Sequence, residues 1–141
     1  MKKIYITAIA VSFLFILGCS KDFLKAYENR IIGTWRISDV NRVGLGGNTD
    51  NLPYKEGSFI FNDDWSLIYT NLSGDVFKGS WDIRKKHTDN KTLQSLQITA
   101  VNFADQNVRT EYYDDLNFTG TNHFKANITS GLHTYIIHFR R

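Results

Sequence analysis

From Ile31 to the C-terminus, apolar and polar side chains alternate in short runs separated by turn-forming residues. Phe59 and Phe61 flank Ile60. Phe77, Gly79, Trp81 and Ile83 share one parity while Lys78, Ser80, Asp82 and Arg84 take the other. Phe124, Ala126 and Ile128 alternate with Lys125 and Asn127, and Tyr135, Ile137 and Phe139 alternate with Ile136, His138 and Arg140. Successive side chains of an extended chain point to opposite faces, so this pattern marks strands with one buried face. Turn chemistry falls between the runs, at Asn62-Asp63-Asp64, Ser73-Gly74-Asp75, Lys86 to Asn90, Ala104 to Asn107 and Thr129-Ser130-Gly131. The runs predict eight strands, near 32–43, 56–62, 66–71, 76–85, 92–102, 108–118, 121–128 and 132–140.

Most links between these strands are short, which pairs sequence neighbours as antiparallel hairpins. The exception is Gly44 to Lys55, a Gly- and Asn-rich loop that holds the only proline. No long helical pattern is present, which excludes parallel βαβ units. The expected fold is therefore all-β, an eight-stranded antiparallel up-and-down barrel whose closure removes the sheet edges. A two-layer sandwich is the alternative, at the cost of longer Greek-key returns. Ahead of the barrel, Asp22 to Arg30 places Phe23, Leu24 and Tyr27 on one face between an acidic start and a basic end, which predicts a short helix.

The N-terminus follows a different rule. Lys2 and Lys3 precede an uncharged, mostly apolar run from Ile4 to Leu17, then Gly18 and Cys19. A helix of that length rises about 21 Å, short of the roughly 30 Å hydrocarbon core, so the segment reads as a secretory signal rather than a span. Ile16-Leu17-Gly18-Cys19 resembles the lipobox of bacterial lipoproteins. That resemblance implies removal of residues 1–18, acylation of Cys19 as the new N-terminus, a lipid-anchored linker over 19–30 and a barrel domain over 31–141. Several acyl chains anchor a protein stably without a spanning helix. The alternative is a core helix containing an ordinary buried cysteine. Ser20 after the cysteine resembles the outer-membrane sorting pattern, and Ser20-Lys21-Asp22 is similar to the surface-export signal of Bacteroidetes-type lipoproteins. The expected location is the outer membrane, on its periplasmic face or at the cell surface.

Loss of Lys2 and Lys3 with the leader leaves fifteen basic against fourteen acidic side chains. A nearly neutral chain offers no excess basic surface, so nucleic acid is not an expected partner. Cys19 is the only cysteine, which excludes an internal disulfide or a Cys-cluster metal site.

Gly33-Thr34-Trp35 at the head of the first strand resembles the Gly-x-Trp opening of the lipocalin superfamily. The resemblance implies a barrel closed at one end by Trp35, with a basic residue after the last strand packed over the indole. Arg140 or Arg141 could serve, and Arg140 is taken as the counterpart. Gly33-Thr34-Trp35-Arg36 is also similar to the opening of fatty-acid-binding proteins, whose helical lid residues 44–55 are too few to form. Phe59-x-Phe61-Asn62-x-Asp64-x-Ser66, then Gly79-Ser80-Trp81-x-Ile83 and Leu96-x-Ile98, follow the order of small lipocalin-like lipoproteins of Bacteroidetes. Trp65 stands where such turns usually place glycine.

Candidate chemistry is sparse. His87, His123, His133 and His138 show no metal-ligand spacing, and His133 and His138 fall on opposite strand faces. Asp63-Asp64 suits a turn, Asp114-Asp115 belongs to no calcium-loop pattern, and no Gly-x-Ser-x-Gly elbow occurs. Gly44-Leu45-Gly46-Gly47 lacks the remainder of a phosphate loop. The reading is of no enzyme, no cofactor and no metal.

The inward aromatics are more informative: Phe59, Phe61, Tyr69, Phe77, Trp81, Tyr135 and Phe139. An eight-stranded barrel is just wide enough to be filled by side chains or to hold one small ligand, so these rings either line a cavity or form the core. Trp65 at a hairpin tip is either an exposed contact residue or folds back over the barrel mouth. Two functions follow. One is binding of a small apolar or amphipathic molecule in the barrel. The other is an envelope protein-interaction or inhibitor module that uses loop 44–55 and the Trp65 hairpin.

Overall fold

The alternation resolves into eight strands: β1 (Gly33–Gly44), β2 (Ser58–Phe61), β3 (Ser66–Thr70), β4 (Val76–His87), β5 (Thr92–Asn102), β6 (Asn107–Phe118), β7 (His123–Ser130) and β8 (His133–Arg140). Each pairs antiparallel with its sequence neighbours, and β1 pairs with β8 to close an up-and-down barrel. The sandwich alternative is thereby excluded. This computed structural model describes residues 26–87 and 90–141. The expected leader 1–18, the lipid-attachment residue Cys19 and the linker through residue 25 lie outside the described residues.

Closure depends on two irregularities that the alternation does not announce. The β1–β8 register shifts between Ile37 and Asp39, and the β6–β7 register shifts between Asp114 and Asn117. Each inserts an extra residue, so the inward parity changes from Trp35 to Val40 in β1 and from Tyr113 to Leu116 in β6. Such bulges bend and twist a strand, as a small barrel requires. Asp115, inside the second bulge, takes a positive φ of 51°, so the Asp114-Asp115 pair sits at a bend of the strand.

The up-and-down order gives the barrel two distinct ends. At the helix end lie the start of β1, the β2–β3, β4–β5 and β6–β7 turns, the C-terminus and α1 (Tyr27–Ile31). Five residues are too few for an independent helix, so α1 depends on docking. Ile31 is buried, Tyr27 meets Phe118 edge-on at 5.4 Å, and the Arg30 guanidinium lies 4.2 Å from the Phe118 centroid.

Trp35 seals this end. Its indole N–H donates to the Ile31 carbonyl at 2.6 Å, and Phe124 packs edge-on at 4.7 Å. The cation over its face is Arg141, at 4.5 Å, and not Arg140. Arg140 is the last residue of β8, paired with Arg36 and His123 and exposed, because inward Phe139 sends its neighbour outward. Arg141 leaves the strand and turns back, donating to the carbonyls of Arg30 (2.8 Å) and Ile32 (2.7 Å). Arg141→Ala should cost about 1–2 kcal/mol, from one cation–π contact and two charge-assisted hydrogen bonds at a partly exposed site. Arg140→Ala should stay within about 0.5 kcal/mol of the parent. Urea denaturation of the pair checks the assignment.

The opposite end, the strap end, carries residues 45–57 and the β3–β4, β5–β6 and β7–β8 turns. Trp65 belongs to the helix end, in the β2–β3 turn, so it does not stand at this mouth. Its indole lies 4.7 Å from Trp81 while 46% of the residue remains exposed, so it both folds back and stays accessible. Its φ of 67° is the left-handed value that a glycine at this turn position would adopt freely.

Candidate functional site at the strap end

Inside the barrel the expected lining residues pack on one another. Phe59 lies 4.7 Å from Tyr69, 5.7 Å from Phe139 and 5.9 Å from Phe61, while Phe61 meets Trp81 edge-on at 5.7 Å and Tyr69 meets Phe77 at 5.6 Å. Offset and edge-on rings at these separations are the arrangements that aromatic quadrupoles favour. Phe59, Phe61, Phe77, Trp81 and Phe139 are core here. Tyr69 and Tyr135 alone among the seven reach the clefts at the strap end.

The loop after β1 is not a free excursion. Asn48 caps a 3₁₀ turn, Thr49–Asn51, by accepting from the Asp50 amide, and the chain then runs across the barrel mouth. Tyr54 drops from it into the interior and is fully buried, edge-on to Tyr69 at 4.7 Å and to Phe59 at 5.5 Å. Its hydroxyl donates to the Arg109 carbonyl at 2.7 Å. The barrel wall holds this strap through its carbonyls: Arg109 Nη1 donates to Pro53 (2.8 Å), Tyr69 Oη to Glu56 (2.7 Å) and Tyr135 Oη to Asn48 (3.1 Å).

The strap divides the mouth into two clefts that share Leu52 and Pro53. One, of about 410 Å³, is lined on the wall side by Tyr69, Asn71, Leu72, Ser73, Asn107 and Arg109, and on the strap side by Asp50, Lys55 and Glu56 as well. The other, of about 430 Å³, is lined by Glu111, Ile128, His133 and Tyr135, with Gly47 and Asn48 from the strap. Arg109 and Glu111 both point inward from β6, at the parity of buried Tyr113. The Arg109 guanidinium lies over Phe77 at 4.4 Å and farther from Tyr69, at 5.9 Å.

Burial sets the electrostatics. It pushes the phenols of Tyr54 and Tyr69 upward, with nearby Arg109 opposing, and it raises Tyr113 far above the ordinary phenol range. Tyr113 is wholly buried, and its hydroxyl has no hydrogen-bond partner among the described residues. Burial also raises the Glu111 carboxyl. An acid whose folded pKa is raised favours the fold below its unfolded pKa, and that contribution disappears as pH rises through the folded value. Glu111→Gln should therefore raise the melting temperature at neutral pH, with the gain over the parent shrinking towards pH 4. Melts from pH 4 to 8 measure this. On the strap surface, exposed Lys55 and Asp50 pair at 3.0 Å, which lowers the Asp50 carboxyl.

The chain has no match among known protein families, curated proteins or solved structures. Tyr54, Arg109 and Glu111 are the site residues that the sequence pattern passed over. The parity of Arg109, Glu111 and Tyr113 was the available signal, obscured because charged strand residues ordinarily face water.

Proposed function

We propose that this chain is a carrier rather than a catalyst: a lipocalin-like barrel that takes up one small amphipathic molecule at its strap end. Its helix end is tied through acylated Cys19 to the outer membrane. The observation carrying this reading is the strapped mouth, where apolar Leu52, Pro53 and Ile128 stand beside phenol, guanidinium and carboxyl groups on two adjoining clefts. Pockets that hold small molecules share this mixture of apolar walls and a few convergent polar groups. The lipobox-like Ile16-Leu17-Gly18-Cys19 supports the tether.

Native mass spectrometry of the chain from Ser20 onward, purified without detergent, tests the carrier reading. The expected result is a co-purifying mass on the order of a few hundred daltons that is lost on denaturation. A bare protein mass from every expression condition would defeat it. For the tether, Cys19→Ala in the full chain should move the protein from the membrane fraction to the soluble fraction.

A second reading, a protein-interaction module, draws on a different observation. Leu45, Leu72, Phe103 and Leu132 are all exposed on turns of the strap end. Loop 44–55 and the Trp65 hairpin lie at opposite ends of the barrel, so a single small contact does not engage both. On this reading Leu72→Ser with Phe103→Ser abolishes capture of an envelope partner while Trp65→Ala does not; retention by the double variant removes its support.

A further inference from the structure

The wall and the strap divide hydrogen-bonding roles unequally. Three wall side chains, Tyr69, Tyr135 and Arg109, each donate to a strap main-chain carbonyl. A further wall hydroxyl, that of Tyr113, is buried with no partner among the described residues and lies within electrostatic reach of Glu111, Tyr54 and Tyr69. Neutral strap oxygens thus satisfy three wall donors, while Tyr54 of the strap donates back to the Arg109 carbonyl. A buried donor left unmet is costly, and a charged oxygen acceptor binds such donors more strongly than a peptide carbonyl does.

Charge gives the direction. In the 410 Å³ cleft both acids, Asp50 and Glu56, belong to the strap, as does Lys55. The wall side of this cleft presents one cation, Arg109, and no acid. Among the described residues the ion pairs are Asp50–Lys55 and Asp82–Arg84, so Arg109 has no carboxylate counterpart. A guanidinium held against two aromatic faces is placed for two-point binding of a carboxylate. Glu111 lines the other cleft and disfavours an anion there.

The strap stands apart from the sheet. It joins no sheet ladder between Gly44 and Ser58, and Gly44 and Gly57 bracket it with φ values of 102° and 101°. Its one deep insertion, the Tyr54 ring, occupies space walled by Phe59 and Tyr69.

We infer that the ligand is a carboxylate-headed amphiphile which displaces Tyr54 and its strap, setting its head on Arg109 and Tyr69 and its apolar body in the space of the Tyr54 ring. This rests on the carrier reading and narrows it to one head-group chemistry.

The test uses the chain from Ser20, which keeps the whole closed barrel and α1, after far-UV circular dichroism and a cooperative melt have confirmed its fold. Calorimetric titration compares dodecanoate with dodecanol and dodecyltrimethylammonium, which differ only in the head. Dodecanoate should bind one to one and at least about tenfold more tightly than the alcohol, a factor expected of one charge-assisted contact. Arg109→Gln should erase that preference, Arg109→Lys should restore part of it, and Tyr54→Ala should tighten binding of both dodecanoate and dodecanol. Hydrogen exchange across 45–57 should quicken when dodecanoate binds.

Equal affinity for acid and alcohol, or a preference surviving in Arg109→Gln, overturns the head-group assignment while leaving a carrier. Unchanged or slower exchange in the strap overturns the displacement, whatever the variants do. Failure of all three amphiphiles to bind both the parent and Tyr54→Ala would bring down the carrier reading itself.

Discussion

Trp35→Ala is expected to cost about 3–5 kcal/mol, the range for truncating a large aromatic in a packed core. The ring is fully buried between Phe118 and Phe124 and beneath the Arg141 guanidinium. Its removal leaves a cavity at the helix end and the Ile31 carbonyl without its donor. Arg141 loses the face on which it rests, although its bonds to the Arg30 and Ile32 carbonyls remain available. Helix α1 has no stability of its own, so the loss extends to Tyr27 and Ile31, which pack through it. Domains of this size hold only about 5–15 kcal/mol in total, so the variant should be at or near the margin of folding. Urea denaturation with far-UV circular dichroism measures the change. Trp35→Phe should recover most of the packing while still lacking the indole donor. A midpoint for Trp35→Ala close to the parent's would show that the helix end does not depend on this plug.

Gly79→Ala should be comparably damaging for a different reason. A Cβ at this position would stand 1.9 Å from the Thr99 carbonyl oxygen and 2.6 Å from the Ala100 Cα, both main-chain atoms of the adjoining strand β5. Flexible side chains can yield to a new methyl group, but a ladder strand gives way only by losing register. The expected cost is about 3 kcal/mol or more, at the upper end of overpacking effects. Poor soluble yield and a lost or broadened thermal transition would report it. Gly120→Ala in the β6–β7 turn is the matched control, because nothing lies within 4 Å of its added carbon. Equal stability of the two variants would contradict the close approach of β4 to β5.

The strands were readable because burial on one face imposes a period of two that no other element reproduces. Phe59, Phe61, Phe77 and Trp81 fall on the inward face that their spacing predicts. The strap and the bulges were not readable in the same way. Gly44 to Lys55 has the composition of a flexible loop, yet Tyr54 within it is as buried as any core residue. Its burial is decided by donors on β3, β6 and β8, some of them distant in sequence. Arg109 and Glu111 were overlooked because a charged side chain at a strand end normally points to water. They point inward at the open end of the barrel, where Arg109 donates to the Pro53 carbonyl of the strap and Glu111 accepts from the Tyr112 amide.

By itself the sequence determined the number of strands, their order, the short helix before them and the aromatic character of the interior. Those properties follow from local alternation and turn chemistry, which act between residues a few positions apart. The tertiary structure alone decided which basic residue covers Trp35, at which end Trp65 sits, that the rings fill the middle of the barrel, and that a loop closes its mouth. Each of these depends on how far strands shear and where bulges shift their parity as the sheet closes. Closure is a property of all eight strands together, and no single stretch of the chain contains it.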